Sequence, residues 1–216
     1  MVLAKRAAAS KEVNLPTLTN LDEWGGVCRT GLFIELPPGF FDEIDVRWYR
    51  AIYEQLIPEN GITAEIGCYR GRSMMCVADI IKAKSLTVWC IDVFEPFLSD
   101  RSTTRLQDFK ETAEWYGIRE HLKVVKGSSL EAAKFLDDAS LDFVFLDGDH
   151  EASTVRKELE LYEPKVKDSG WIGGHDYAYW PGVTLAVNEY YRDFAVLDYS
   201  SIWLRKKGGC HNADVL

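Results

Sequence analysis

Residues 41–57 place Phe41, Ile44, Trp48, Ile52 and Leu56 at helical spacing, and Pro58 and Gly61 punctuate the end of that run. From there the pattern alternates. Apolar, often β-branched runs at 62–67, 86–92, 122–125, 141–147 and 171–175 predict strands. Helix-like segments near 72–83, 102–116, 129–137 and 151–163 fall between them. In the last of these Val155, Leu159 and Tyr162 share a face, and Pro164 ends it. A further helix follows Pro181, with Val183, Ala186, Val187 and Tyr190 on one side. Two short strands near 195–197 and 202–204 finish the pattern, and residues 1–38 read as an irregular arm.

Strands that alternate with helices predict an α/β fold with a parallel, doubly wound sheet and helices on both faces. Ligands of such sheets bind at the carboxyl ends of the strands. Those ends carry Glu65 and Gly67, then Asp92, then Gly127 and Ser128, then Asp147, then His175 and Asp176. Five successive strands thus put polar or glycine residues on one edge.

Composition narrows the partners. A chain of 216 residues, 47% apolar, is the size of one domain with a substantial core. Its net charge of -9 argues against nucleic acid, whose binders carry a basic face. No apolar run approaches the roughly 18 residues of a membrane span. Residues 1–11 have no long apolar core, so no secretory signal is expected. The five cysteines are scattered, without a CxxC pair. Reduced thiols in a cytoplasm are therefore expected, with Cys68, Cys76 and Cys90 buried and Cys210 and His211 in a frayed tail.

The chemistry concentrates in two stretches. In Glu65-Ile66-Gly67-Cys68-Tyr69-Arg70-Gly71-Arg72-Ser73 a strand meets a glycine turn and then a helix. The glycines allow close backbone approach, and Ser73 is placed to start the helix. Their spacing is GxxxG, not the GxGxxG of dinucleotide sites, and Glu65 would repel a pyrophosphate but suits an ammonium group. Asp92 follows Gly67 by about 25 positions and suits ribose hydroxyls. Ser128 and Ser129 can bond an adenine edge or cap the next helix; the two roles are compatible. In the second stretch, Asp147, Asp149 and His150 end one strand, and His175 and Asp176 end the next. Carboxylate and imidazole at one edge can bind a divalent metal or supply a general base. Trp180, just beyond, is placed to line a substrate pocket. Arg70 and Arg72 either grip an acidic group or are simply solvated.

The first stretch resembles motif I of class I S-adenosylmethionine-dependent methyltransferases. The segments 145–150, 174–177 and 181–183 are similar to a small-molecule subgroup that includes macrolide-sugar and cephalosporin-pathway enzymes. The likeness covers about residues 60–206. It implies a Rossmann-like seven-stranded sheet, mostly parallel with an antiparallel last strand. The domain would span 41–207, after an arm over 1–40 and before a flexible tail over 208–216. It also implies roles. Glu65 and the turn through Gly67, Tyr69 and Gly71 would hold the methionine part of the cofactor, with Ser73 and Asp147 also among the cofactor-binding residues. Asp92 would bind the ribose, and Ser128 or Ser129 would lie near the adenine. The first stretch also resembles catechol-type O-methyltransferases. Aligned so, Asp147, His175 and Asp176 stand at metal-ligand positions, and His150 stands where those enzymes carry a catalytic lysine. The implied cofactors are S-adenosylmethionine and a divalent metal, Mg or Mn. A histidine ligand departs from a magnesium site and favours manganese, iron or zinc. The expected activity is O-methylation of a small hydroxylated molecule by a cytoplasmic enzyme, with no nucleic-acid or membrane partner and a homodimer as one assembly open to it, and with Asp147 and His150 catalytic. The alternatives are a non-catalytic cofactor-binding scaffold or sensor and a nucleotide-dependent oxidoreductase.

Overall fold

The computed structural model describes residues 36–95 and 105–208. The expectations for the arm before residue 36, the start of the helix at 102–104, and the tail with Cys210 and His211 lie outside these residues.

One seven-stranded sheet runs in the order β3-β2-β1-β4-β5-β7-β6. The strands are β1 (Ile62–Ile66), β2 (Thr87–Asp92), β3 (Leu122–Lys126), β4 (Leu141–Leu146), β5 (Val166–Gly174), β6 (Ala195–Val196) and β7 (Trp203–Lys206). The pairs from β3 across to β5 are parallel, and β7 runs antiparallel to both β5 and β6. The order reverses between β1 and β4, the place where such sheets open a ligand crevice.

Alternation along the strands divides the core. Phe143 and Phe145 pack with α1 (Glu43–Gln55), α2 (Arg72–Cys76), α3 (Ala78–Ala83) and α4 (Arg105–Trp115). Val144 and Leu146 pack on the other face with α6 (Ala152–Tyr162) and α7 (Pro181–Tyr190), beside the short α5 (Ser129–Ala132). Cys68, Cys76 and Cys90 are buried free thiols, as expected. No helix among the described residues is long and apolar enough to cross a membrane.

Three elements depart from the sequence pattern. The helix expected over 72–83 breaks at Val77 into α2 and α3. Arg50 of α1 reaches the Cys76 carbonyl at the break and pairs with Asp79 beyond it. The helix expected over 129–137 is the single turn α5, followed by a 3-10 turn Ala133–Phe135. β5 begins at Val166, ahead of the expected 171. Its polar residues between Val166 and Trp171 carry no apolar pattern because the register shifts there, between Leu141 and Phe143 on β4.

Candidate active site

Register brings the strand ends level. Ile66 pairs with Leu146 and Leu146 with Gly174, so the next residues, Gly67, Asp147 and His175, share one edge. Gly67 has φ 87°, and a Cβ there would stand 1.9 Å from the Asp147 carbonyl oxygen. Only glycine lets the β1 turn rest on the end of β4. Tyr69, Phe94, Asp176 and Ala178 take positive φ of 47°, 48°, 65° and 65° around this edge. Asn60, Ser85 and Ala139 take the same region in turns ahead of β1, β2 and β4, so it is the gathering at this edge that points to a site.

The residues singled out for a cofactor are placed unequally. Glu65 is fully buried, and its oxygens accept from Tyr49 Oη at 2.6 Å and Ser73 Oγ at 2.5 Å. Burial pushes its carboxyl up to about 8. Ser73 therefore does not cap α2, whose N-cap is Gly71; it serves Glu65. Asp92 is half-buried and accepts from the Tyr69 amide at 2.7 Å and the Phe94 amide at 2.5 Å. Ser128 caps α5 through Leu130, and Ser129 donates to Glu158 at 2.6 Å. Among the described residues Arg72 grips no acidic group. It ties the entering chain through the carbonyls of Phe41 and Pro37 at 2.7 and 3.1 Å.

Asp147, His150, His175 and Asp176 come together as one cluster. His150 Nε2 lies 2.9 Å from Asp176 Oδ2. His175 Nδ1 faces Asp176 Oδ1 at 3.4 Å and Asp147 Oδ1 at 3.6 Å, while its Nε2 meets Asp45 Oδ2 at 3.1 Å. Burial opposes the His175 charge, but the three carboxylates around the ring push it up to about 12. Burial raises Asp147. It also opposes the charge of Asp176, yet the His150 and His175 rings beside it hold that carboxyl well below the usual range. The hydrogen bond to Asp176 raises His150. Trp180 stacks on the His150 ring at 4.5 Å and 8°, and a Cβ on Gly182 would stand 2.1 Å from the His150 carbonyl. The start of α7 thus packs directly on His150. A small cavity beneath is lined by Asp147, His150, Glu158, His175, Asp176 and Trp203.

The cluster suits a cation. Asp147, His175 and Asp176 offer one ligand atom each, all within 4.8 Å of one another. The set is two carboxylate oxygens and one imidazole nitrogen, a mixture that favours manganese, iron or zinc over magnesium. Ligation by Nδ1 requires that nitrogen to give up its proton.

Three contributors to the cluster were not singled out from sequence as site residues: Asp45, Phe41 and Ser200. Phe41 lies against the His175 ring at 4.8 Å, and Ser200 donates to Asp45 at 2.6 Å. A signal existed for Asp45, because it falls on the apolar stripe of Phe41, Trp48 and Ile52, where a carboxylate is out of place. Ser200, in a loop far along the chain, had none.

A family model described as a methyltransferase domain matches residues 64–177. Among solved structures, the O-methyltransferase NovP is 20% identical with a TM-score of 0.56, over 75% of this chain and 78% of its own. An S-adenosylmethionine-dependent O-methyltransferase from Thermotoga maritima is 10% identical with a TM-score of 0.57, over 81% and 68%. The methyltransferase PaMTH1 of Podospora anserina, bound to S-adenosylhomocysteine, is 14% identical with a TM-score of 0.58, over 76% and 78%. At these identities the likeness is one of fold. No curated protein sequence matches.

Proposed function

Because the chain belongs to the methyltransferase-domain family, whose model covers residues 64–177, we propose that it methylates a hydroxyl of a small molecule with S-adenosylmethionine as donor and a divalent cation as aid. The observation that carries this reading is the meeting of Asp147, His150, His175 and Asp176 at the strand edge beside the Gly67–Gly71 turn. A fold that only bound a cofactor would not need four titratable side chains there.

In this reading the turn through Gly67, Tyr69 and Gly71, with Asp147 beside it, receives the methionine part of the donor. Glu65 and Ser73 brace the turn from beneath through their mutual hydrogen bond. The two backbone amides use only part of the accepting capacity of Asp92, and the remainder suits ribose hydroxyls. Ser128 and Ser129 stand toward the adenine. The donor supplies an electrophilic methyl group when bound. Asp147, His175 and Asp176 would hold the cation, which favours the ionised form of a hydroxyl placed beside it. His150, oriented by Asp176 and by the Trp180 ring, accepts the hydroxyl proton. The protein's remaining task is alignment, and the packing of α7 on His150 serves it.

The test is Asp176→Ala. Titration calorimetry should show S-adenosylhomocysteine still binding, and methyl transfer to a panel of phenols, catechols and sugar hydroxyls should be lost. Undiminished turnover in the variant would remove Asp176 from the reaction, and absence of cofactor binding by the wild type would remove the donor.

A further inference from the structure

We propose that Asp45 is a positioning residue for the cation cluster: it anchors the His175 ring through Nε2, presents Nδ1 to Asp147 and Asp176, and so makes the cluster select Mn2+ over Mg2+. The proposal rests on the metal-assisted reading above and goes beyond it, since Asp45 lies upstream of the matched residues 64–177.

Asp45 and His175 are both buried, their side chains each 7% exposed. Nε2 meets Asp45 Oδ2 at 3.1 Å, within ordinary hydrogen-bond length. Nδ1 lies 3.4 and 3.6 Å from the Asp176 and Asp147 oxygens, beyond the usual range. The ring is therefore held from behind, and its other nitrogen looks between two carboxylates without closing on either. Asp45 is itself fixed. Its Oδ2 accepts from the Asp42 amide at 3.2 Å in the capping box of α1, and its Oδ1 accepts from Ser200 at 2.6 Å. Phe41, just ahead of α1, lies along the imidazole at 4.8 Å and 30°. A helix cap explains the Asp42 contact, but a cap needs neither burial nor an imidazole partner. A carboxylate behind a histidine whose second nitrogen faces ligand oxygens is the arrangement that orients metal-binding histidines and raises their basicity. With Nδ1 so presented, one of three donors is nitrogen, which disfavours magnesium.

Binding of Mn2+ to the full chain, read from the electron paramagnetic resonance signal of the free ion, tests this. Asp45→Ala should bind Mn2+ roughly 10–100-fold more weakly than the wild type. Asp45→Asn, which keeps an oxygen for the Nε2 hydrogen, should lose less. Asp42→Ala removes the cap of the same helix without touching His175 and should leave the affinity unchanged. A tenfold excess of Mg2+ should fail to displace Mn2+. Wild-type affinity in a folded Asp45→Ala protein would overturn the positioning role while leaving the cation reading intact. No Mn2+ binding by the wild type would overturn both. Displacement by equimolar Mg2+ would overturn the selectivity. If Asp45→Ala does not fold, Asp45→Asn carries the test, and an affinity equal to that of the wild type overturns the role.

Discussion

Glu65 keeps a carboxyl group wholly out of water between Tyr49 and Ser73, and burial pushes it up to about 8. A raised folded-state pKa means that the native protein binds this proton more tightly than the unfolded chain does. Glu65 therefore favours folding fully below about pH 4.5, and that contribution is lost as pH rises to about 8. The slope approaches roughly 1.4 kcal/mol per pH unit. Glu65→Gln should flatten the dependence of Tm on pH across this window; an unchanged profile would show that the group does not titrate there. His150 gives a second prediction. Its bond to Asp176 raises it above the usual 6.5, so the neutral form needed to accept a proton gains population only above that value. The rate of methyl transfer should rise with pH through this raised value. His150→Ala should lower kcat by roughly 10²–10⁴-fold. A flat rate between pH 6 and 9 would exclude it as base. Glu65 was legible as an unusual acid at a strand end because Gly67 and Gly71 follow it. That its partners would be Tyr49 and Ser73 was not, because the partner from α1 is brought in by the fold and not by spacing.

The β1 turn shows what a strand end demands. Gly67 meets the β4 end at a distance no side chain allows, and its φ is 87°. Gly127, at the end of β3, has nothing within 4 Å of a built Cβ. Gly67→Ala should therefore cost at least about 2 kcal/mol in urea unfolding, and Gly127→Ala should be close to neutral. Equal behaviour of the two variants would show that the turn can move away from Asp147. From sequence the two glycines look alike, each following a strand; what separates them is β4, an element some 80 residues on. The same limit explains the misplaced boundaries. The break at Val77 is served by Arg50, which arrives from α1, and the early start of β5 lies in polar residues that only its pairing with β4 makes a strand. Apolar runs such as β1 and β4, and the helical spacing of α6, were legible because the pattern lies within the element, whichever partner it packs on.

At the scale of the molecule, the sheet places its reversal between β1 and β4, and both stretches that carry chemistry end there. α1 closes over that point from one face through Phe41, Asp45 and Tyr49, and α7 closes from the other through Gly182. A ligand seated at the reversal would touch elements from both core clusters, so its binding should be felt by the whole fold and not by one loop. At about 100 times Kd a ligand adds roughly 2.7 kcal/mol of stability. For a chain of 216 residues that corresponds to a rise in Tm of roughly 5–10 °C. S-adenosylhomocysteine should produce such a rise. NAD should produce none, because the turn is GxxxG and lacks the GxGxxG spacing by which dinucleotide sites cradle a pyrophosphate. A comparable rise with NAD and none with S-adenosylhomocysteine would restore the dinucleotide reading. The contrast reads the ligand through the sheet itself, so it stays informative whatever the methyl acceptor turns out to be.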